Sequence, residues 1–215
     1  MSEPILYSYW HSSCAWRVRI ALGLKKIKYQ QVHKDLVKDE QCEQKYLDLN
    51  PAGYVPVFIH NDHVIPESLA ILEYIDEVYP QEPKLIYGDA AQKALIRSLA
   101  LVIITNIQPF QNFRVTSKHS DDPVKQHDFT KFFIERGFET LEKRLQKTAG
   151  KFAVGDQLSL ADVCIPPQVH WAGRHHVDMS QYPTIQKIND ELSKIPEFIA
   201  ADEKHQPDTP EEKKY

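Results

Sequence analysis

Ile5-Leu6-Tyr7-Ser8-Tyr9-Trp10-His11-Ser12-Ser13-Cys14-Ala15-Trp16-Arg17-Val18-Arg19-Ile20-Ala21-Leu22 changes character partway along. Residues 5–9 are β-prone, and the run ends at polar His11-Ser12-Ser13. Trp16, Val18, Ile20, Ala21, Leu22 and Leu24 then recur as one apolar face of a helix, with Ser12 or Ser13 placed to cap its start. Further on, Tyr29–His33 reads as a second strand and residues 37–48 as a charged, loosely amphipathic helix. Asn50-Pro51-Ala52-Gly53 reads as a turn, residues 55–59 as a third strand, and His60-Asn61-Asp62-His63 as a hairpin turn. Val64-Ile65 supplies a fourth strand. Leu69, Ile71, Leu72, Tyr74 and Ile75 carry the closing helix.

The order is βαβαββα, which predicts an α/β domain of thioredoxin-like type. After Pro80-Gln81-Glu82-Pro83 the strand signal stops. Helical periodicity runs over 90–118, 123–147, 160–174 and 184–194, punctuated by Pro123, Pro166, Pro167, Pro183 and Pro196. The expectation is a domain over 1–83 and an all-α domain over 84–215, with residues 206–215 as a polar, peripheral tail.

Composition narrows the function classes. The chain has 215 residues, 26 Lys and Arg against 30 Asp and Glu, a net charge of −4, and 42% hydrophobic residues. That is globular composition, and the mild acidity speaks against a nucleic-acid partner. No apolar run approaches the roughly 20 residues of a membrane span. The first residues lack the basic and apolar regions of a secretory signal, so no membrane partner and a cytoplasmic location are expected. Cys14, Cys42 and Cys164 are odd in number and far apart, which disfavours a disulfide framework. Of ten histidines none forms a His-Glu-x-x-His pair, and His175-His176 are adjacent, so no metal site is expected.

The chemistry concentrates where the first strand hands over to the first helix. A helix start presents free N–H groups and partial positive charge, which stabilise an anion and lower a thiol's pKa. Ser12, Ser13 and Cys14 at that point can hold or supply a thiolate, or can be two caps and a small packed residue. Without a Cys-x-x-Cys pair, dithiol exchange is excluded. Val55-Pro56 opens a strand where proline is tolerated as a cis turn or on an edge. In cis it leaves the Val55 backbone to pair with an extended peptide. Glu67 and Ser68 begin a helix and suit an ammonium and a carboxylate, or simply cap it. Ser159-Leu160-Ala161-Asp162 fits a capping box, so Asp162 reads as a cap rather than a catalytic acid. Thiol, extended backbone and free amino-acid end are together the parts of glutathione.

The chain resembles the zeta-class glutathione transferases, the family that includes maleylacetoacetate isomerase. Ser12–Leu22 is similar to the class signature, and Asn50-Pro51, Val55-Pro56 and Glu67–Ile71 are similar to the wider transferase pattern. The likeness continues in Ile107-Gln108-Pro109-Phe110-Gln111-Asn112, in 154–162, in Tyr182-Pro183-Thr184-Ile185 and in Gln206–Pro210. It departs from the pattern at Trp171-Ala172-Gly173-Arg174-His175-His176.

The resemblance implies the glutathione transferase fold, glutathione as cofactor, a homodimer, and a small-molecule dicarboxylate substrate. It implies cis-to-trans isomerisation of maleylacetoacetate by reversible thiolate addition, a step of tyrosine and phenylalanine breakdown, with small α-halo acids as further substrates. It places Ser13 on the thiolate, with Ser12 and Cys14 in support and Ala15, Trp16 and Arg17 completing the first turn. Val55 and Pro56 take the cysteinyl backbone, and Glu67 and Ser68 the γ-glutamyl end. Gln41 is the candidate for the glycine end. Gln108 and Asn112 line the site from the helical half, and Arg174 meets a substrate carboxylate. Cys14 is also chemically able to act as the nucleophile. Maleylpyruvate isomerisation, a general transferase activity and a non-catalytic glutathione-fold module are the alternatives.

Overall fold

The structure is a computed structural model that describes residues 3–214. It divides into two compact units, residues 1–83 with 195–215, and residues 84–194.

The first unit is built on a four-stranded sheet of β1 (Ile5–Ser8), β2 (Gln30–His33), β3 (Val57–His60) and β4 (His63–Pro66), in the order β2-β1-β3-β4. β1 pairs parallel with β2, while β3 lies antiparallel to both β1 and β4. Between the strands run α1 (Ser13–Leu24), the single turn α2 (Gln44–Leu47) and α3 (Ser68–Val78). Side chains alternate across the sheet. Leu6 and Phe58 pack with Val18, Leu22, Ile71 and Ile75 on one face, while Tyr7 and Val57 meet Tyr46 on the other. Asn61 and Asp62 both take positive φ, 48° and 66°, as a two-residue hairpin turn requires.

The second unit contains α4 (Ala90–Asn106), α5 (Phe113–His119), α6 (Pro123–Thr148), α7 (Leu160–Arg174) and α8 (Pro183–Leu192). α4 packs on α6 and α7, and α8 on α6 and α7. The last helix, α9 (Pro196–Ala200), belongs to the first unit and packs on α1.

Several expectations need correction. The charged segment 37–48 is not one helix. Asp39 at φ 57° interrupts it, leaving a 3-10 turn at Glu40–Cys42 and α2. The stretch 90–118 breaks after Asn106 into a 3-10 turn, Gln108–Gln111, because Pro109 has no N–H to donate. Residues 90–111 are in fact long and apolar enough, by length and composition, to cross a membrane. In the fold this segment is a packed helix that buries Ile96, Leu99, Ala100, Val102 and Ile103.

The tail groups with the first unit rather than the second. Its Asp208 carboxylate accepts from the Trp10 N–H at 2.9 Å, and its Gln206 and Thr209 are buried. Nor does α1 have one apolar face only. Arg17 and Arg19 are 1% and 2% exposed, so the helix is covered on nearly every side.

Candidate functional site

Ser12 is the N-cap of α1. Its backbone is extended and its hydroxyl accepts from the Ala15 N–H at 3.2 Å. Ser13 opens the helix and is buried, while Cys14 is half-buried. The third helical position, where a capping-box acid would sit, holds Ala15, and the first turn carries no acid. Its N–H groups and partial positive charge are therefore not neutralised by the helix's own side chains.

Arg19 fixes the approach to this start. It donates to the Ser8 hydroxyl at 3.1 Å, to the Tyr9 and Trp10 carbonyls at 3.2 Å each, and to the Ala201 carbonyl at 3.0 Å. Burial lowers its pKa to about 10, still protonated at neutral pH. Arg19 and Asp208 thus frame residues 8–12. Sequence reading missed both roles, since an arginine reads as surface and a polar tail as loose.

A second helix start lies at α3. Ser68 is its first residue, and its buried hydroxyl accepts from Arg17 Nη1 at 3.3 Å. The same Nη1 donates to Cys14 Sγ at 3.7 Å. Arg17 thereby ties the first turn of α1 to the first residue of α3. Glu67 is the N-cap, exposed, with φ 69° and ψ 115° and no capping hydrogen bond from its side chain. Positive φ in a non-glycine residue costs on the order of 1–3 kcal/mol and recurs at ligand sites. Val55-Pro56 is cis, and both residues are buried just ahead of the β3 ladder. Trp16 is buried beneath the first turn. Gln41 is buried, its Nε2 donating to Asp39 at 3.0 Å and its Oε1 without a partner.

In the second unit the expected residues are placed differently. Asn112 caps α5, its Oδ1 accepting from the Arg114 N–H at 2.9 Å, so that oxygen has a structural duty. Gln108 is half-buried in the 3-10 turn, and the neighbouring Gln111 is more buried and accepts from Gln168 at 2.9 Å. Arg174 ends α7 with an exposed guanidinium 5.8 Å from the centre of the Trp171 ring. Trp171 stacks on His175 at 5.9 Å, and His175 lies 4.8 Å from His127. Burial, with the charges of His127 and Arg174, lowers the His175 pKa to about 4.

Asp162 is a cap. Its Oδ2 accepts from the Ser159 N–H at 2.9 Å and the Ser159 hydroxyl at 2.6 Å, and its Oδ1 from the Ala153 N–H at 2.7 Å. Complete burial pushes its pKa up to about 6, against the pull of those donors.

With a thioredoxin-like unit and an all-helical unit, the chain matches known protein families over most of its length. Residues 2–77 match the glutathione S-transferase N-terminal domain, and residues 107–201 the glutathione S-transferase C-terminal domain. The maleylacetoacetate isomerase of Dictyostelium discoideum is 44% identical over 212 residues, covering 96% of each chain. A maleylacetoacetate isomerase from Anaeromyxobacter dehalogenans, solved with GSH bound in its active site, superposes with a TM-score of 0.88 at 36% identity, over 97% of this chain and 98% of its own. A maleylpyruvate isomerase, described as a bacterial zeta-class glutathione transferase, gives 0.91 at 31% identity, over 96% and 100%. The chain belongs to the glutathione S-transferase family, in the zeta-class branch that holds the maleylacetoacetate isomerases.

Proposed function

We propose that this chain is a glutathione-dependent cis–trans isomerase that converts maleylacetoacetate to fumarylacetoacetate. The observation that carries the reading is the start of α1, where hydroxyl, thiol and backbone N–H groups meet with no acid, and a buried guanidinium stands behind them. That donor set fits an anionic thiol peptide. The names borne by relatives at this level of identity support the choice of substrate.

Bound glutathione supplies a thiolate whose reversible addition to the substrate double bond permits rotation. Ser13 donates its hydroxyl hydrogen to the sulfur and, with the α1 start, favours the ionised form. Ser12 and Cys14 support that turn, and Ala15 and Trp16 shape it. Val55, ahead of cis Pro56, offers its backbone to the cysteinyl residue. Glu67 takes the γ-glutamyl ammonium and Ser68 its carboxylate, and Gln41 serves the glycine end. Arg174 anchors a carboxylate of the dicarboxylate substrate by a forked contact, with Gln108 and Asn112 contributing to the acceptor side. The protein acts as a cytoplasmic homodimer, and small α-halo acids are further acceptors. Maleylpyruvate is the second acceptor reading, favoured by the likeness to the maleylpyruvate isomerase.

The test is fumarylacetoacetate formation from maleylacetoacetate, with and without glutathione, by wild type, Ser13→Ala and Arg174→Ala. The expected result is turnover that depends on glutathione and falls in both variants. Glutathione binding without turnover overturns the isomerase reading and leaves another acceptor or a non-catalytic module.

A further inference from the structure

Arg17 and Arg19 stand two positions apart on α1, and both are buried. Their partners differ. Arg19 meets four oxygens. Arg17 uses one nitrogen, Nη1, for the Ser68 oxygen and the Cys14 sulfur, while its Nε and Nη2 are buried without a partner. A guanidinium carries five N–H donors and no acceptor, and burying one incompletely paired is unfavourable unless an anion compensates it. An arginine kept for packing alone would be satisfied as Arg19 is.

The direction of the contact matters. Arg17 can only donate, so the Ser68 oxygen accepts and the Ser68 hydroxyl hydrogen must point elsewhere. With a cation behind it, that hydroxyl is a polarised donor. It stands at the start of α3, beside N–H groups that also favour negative charge.

We propose that Arg17 is a positioning residue: through Ser68 it provides the counter-charge for the α-carboxylate of glutathione's γ-glutamyl end. The inference rests on the glutathione reading and deepens it by saying which end of the tripeptide the buried charge serves. The Ser68 contact, to an oxygen at 3.3 Å, is shorter than the contact to the Cys14 sulfur at 3.7 Å, and a carboxylate carries a full charge.

Equilibrium titrations with glutathione and with cysteinylglycine, which lacks the γ-glutamyl group, test it. The proteins are wild type, Arg17→Met, Arg17→Lys, Ser68→Ala and the Arg17→Met/Ser68→Ala double variant. Arg17→Met is expected to weaken glutathione by about tenfold or more, the size of a lost hydrogen bond to a charged group. It weakens cysteinylglycine by a clearly smaller factor than glutathione, because that ligand has only the α1 end of the site to lose. Arg17→Lys recovers part of the loss, and the double variant binds glutathione no worse than the weaker single one. The ligand-free Arg17→Met protein melts no lower than wild type, because removing an unpaired buried cation relieves the fold.

Equal weakening of both ligands overturns the proposal, as does a double variant whose effects simply add. So does a ligand-free melting temperature that falls alike in Arg17→Met and Arg17→Lys, the mark of a purely structural residue. If Arg17→Met does not fold, Arg17→Lys and Ser68→Ala carry the same ligand comparison. Wild type that binds no glutathione overturns the glutathione reading itself. Wild type that binds it with equal weakening in the variants overturns only the role of Arg17.

Discussion

The starts of α1 and α7 use similar residues to opposite ends. Each has a serine N-cap, Ser12 in one and Ser159 in the other. At α7 the third helical residue is Asp162, which takes three hydrogen bonds from the chain around it and is fully buried. At α1 the third residue is Ala15, and the nearby buried charge is the cation Arg17. One helix start is closed by its own acid; the other leaves that negative charge to be supplied from outside. A serine before an apolar helix therefore says little about function on its own. The residue three places on is what separates a cap from a site.

The sharpest way to break the comparison is Ser13→Ala against Asp162→Ala. Ser13→Ala should lower kcat/KM for glutathione-dependent isomerisation by roughly 100- to 1,000-fold, the range for losing one donor to a developing charge. Its urea midpoint should stay close to wild type. Cys14→Ala, assayed beside it, should keep most of the turnover; if instead Cys14→Ala abolishes turnover and Ser13→Ala does not, the thiol is the nucleophile. Asp162→Ala should do the reverse of Ser13→Ala, destabilising the fold by roughly 3 kcal/mol because buried donors lose their acceptor. Glutathione affinity of the folded Asp162→Ala protein should not change. Stability loss in Ser13→Ala without a rate loss would erase the distinction between the two helix starts.

Smaller effects refine it. Ser12→Ala removes a cap at the open start and should cost about 1 kcal/mol in chemical denaturation. The last concerns His175 at the far end of α7. Its folded pKa is about 4, below the roughly 6.5 of an unfolded chain. Between those values the unfolded state binds the extra proton, so stability falls as pH is lowered through that window. A His175→Phe variant should show a shallower decline from about pH 6.5 to about pH 4 in thermal melts. An unchanged slope would mean that His175 does not titrate as its surroundings dictate.

Much of the fold is legible in local pattern. The β-prone runs at 5–9, 29–33 and 55–59, and the turn at Asn61-Asp62, mark all four strands to within a few residues. Helices α6, α7 and α8 follow their apolar periodicity, while the short α9 at Pro196–Ala200 lies outside the stretches it marks. What escaped was long-range pairing. Arg17 reads only as part of the first turn and Arg19 is not singled out, because nothing local shows that Ser68, Ala201 and the carbonyls of residues 9 and 10 will meet them. The tail reads as frayed because its polar groups find partners about 200 positions away, as Asp208 does at Trp10. At the site, the motif located both helix starts, but the capping duty of Asn112 appears only from the geometry of α5. The reading of 90–118 as one helix passed over Pro109, which has no N–H to give and breaks the helix before α5.

The pairing of residues 201–208 with residues 8–12 has a consequence in time. A chain emerges from the ribosome N-terminal end first, and domains generally fold in that order. Here Arg19 and the Trp10 N–H lack part of their native set of acceptors until Ala201 and Asp208 have been made. The sheet and α1 can form early, but the loop that sets Ser12 and Ser13 gains its last supports only when synthesis has passed residue 208. Nascent chains stalled short of that point should have a protease-sensitive segment around residues 9–12, and release beyond it should protect the segment.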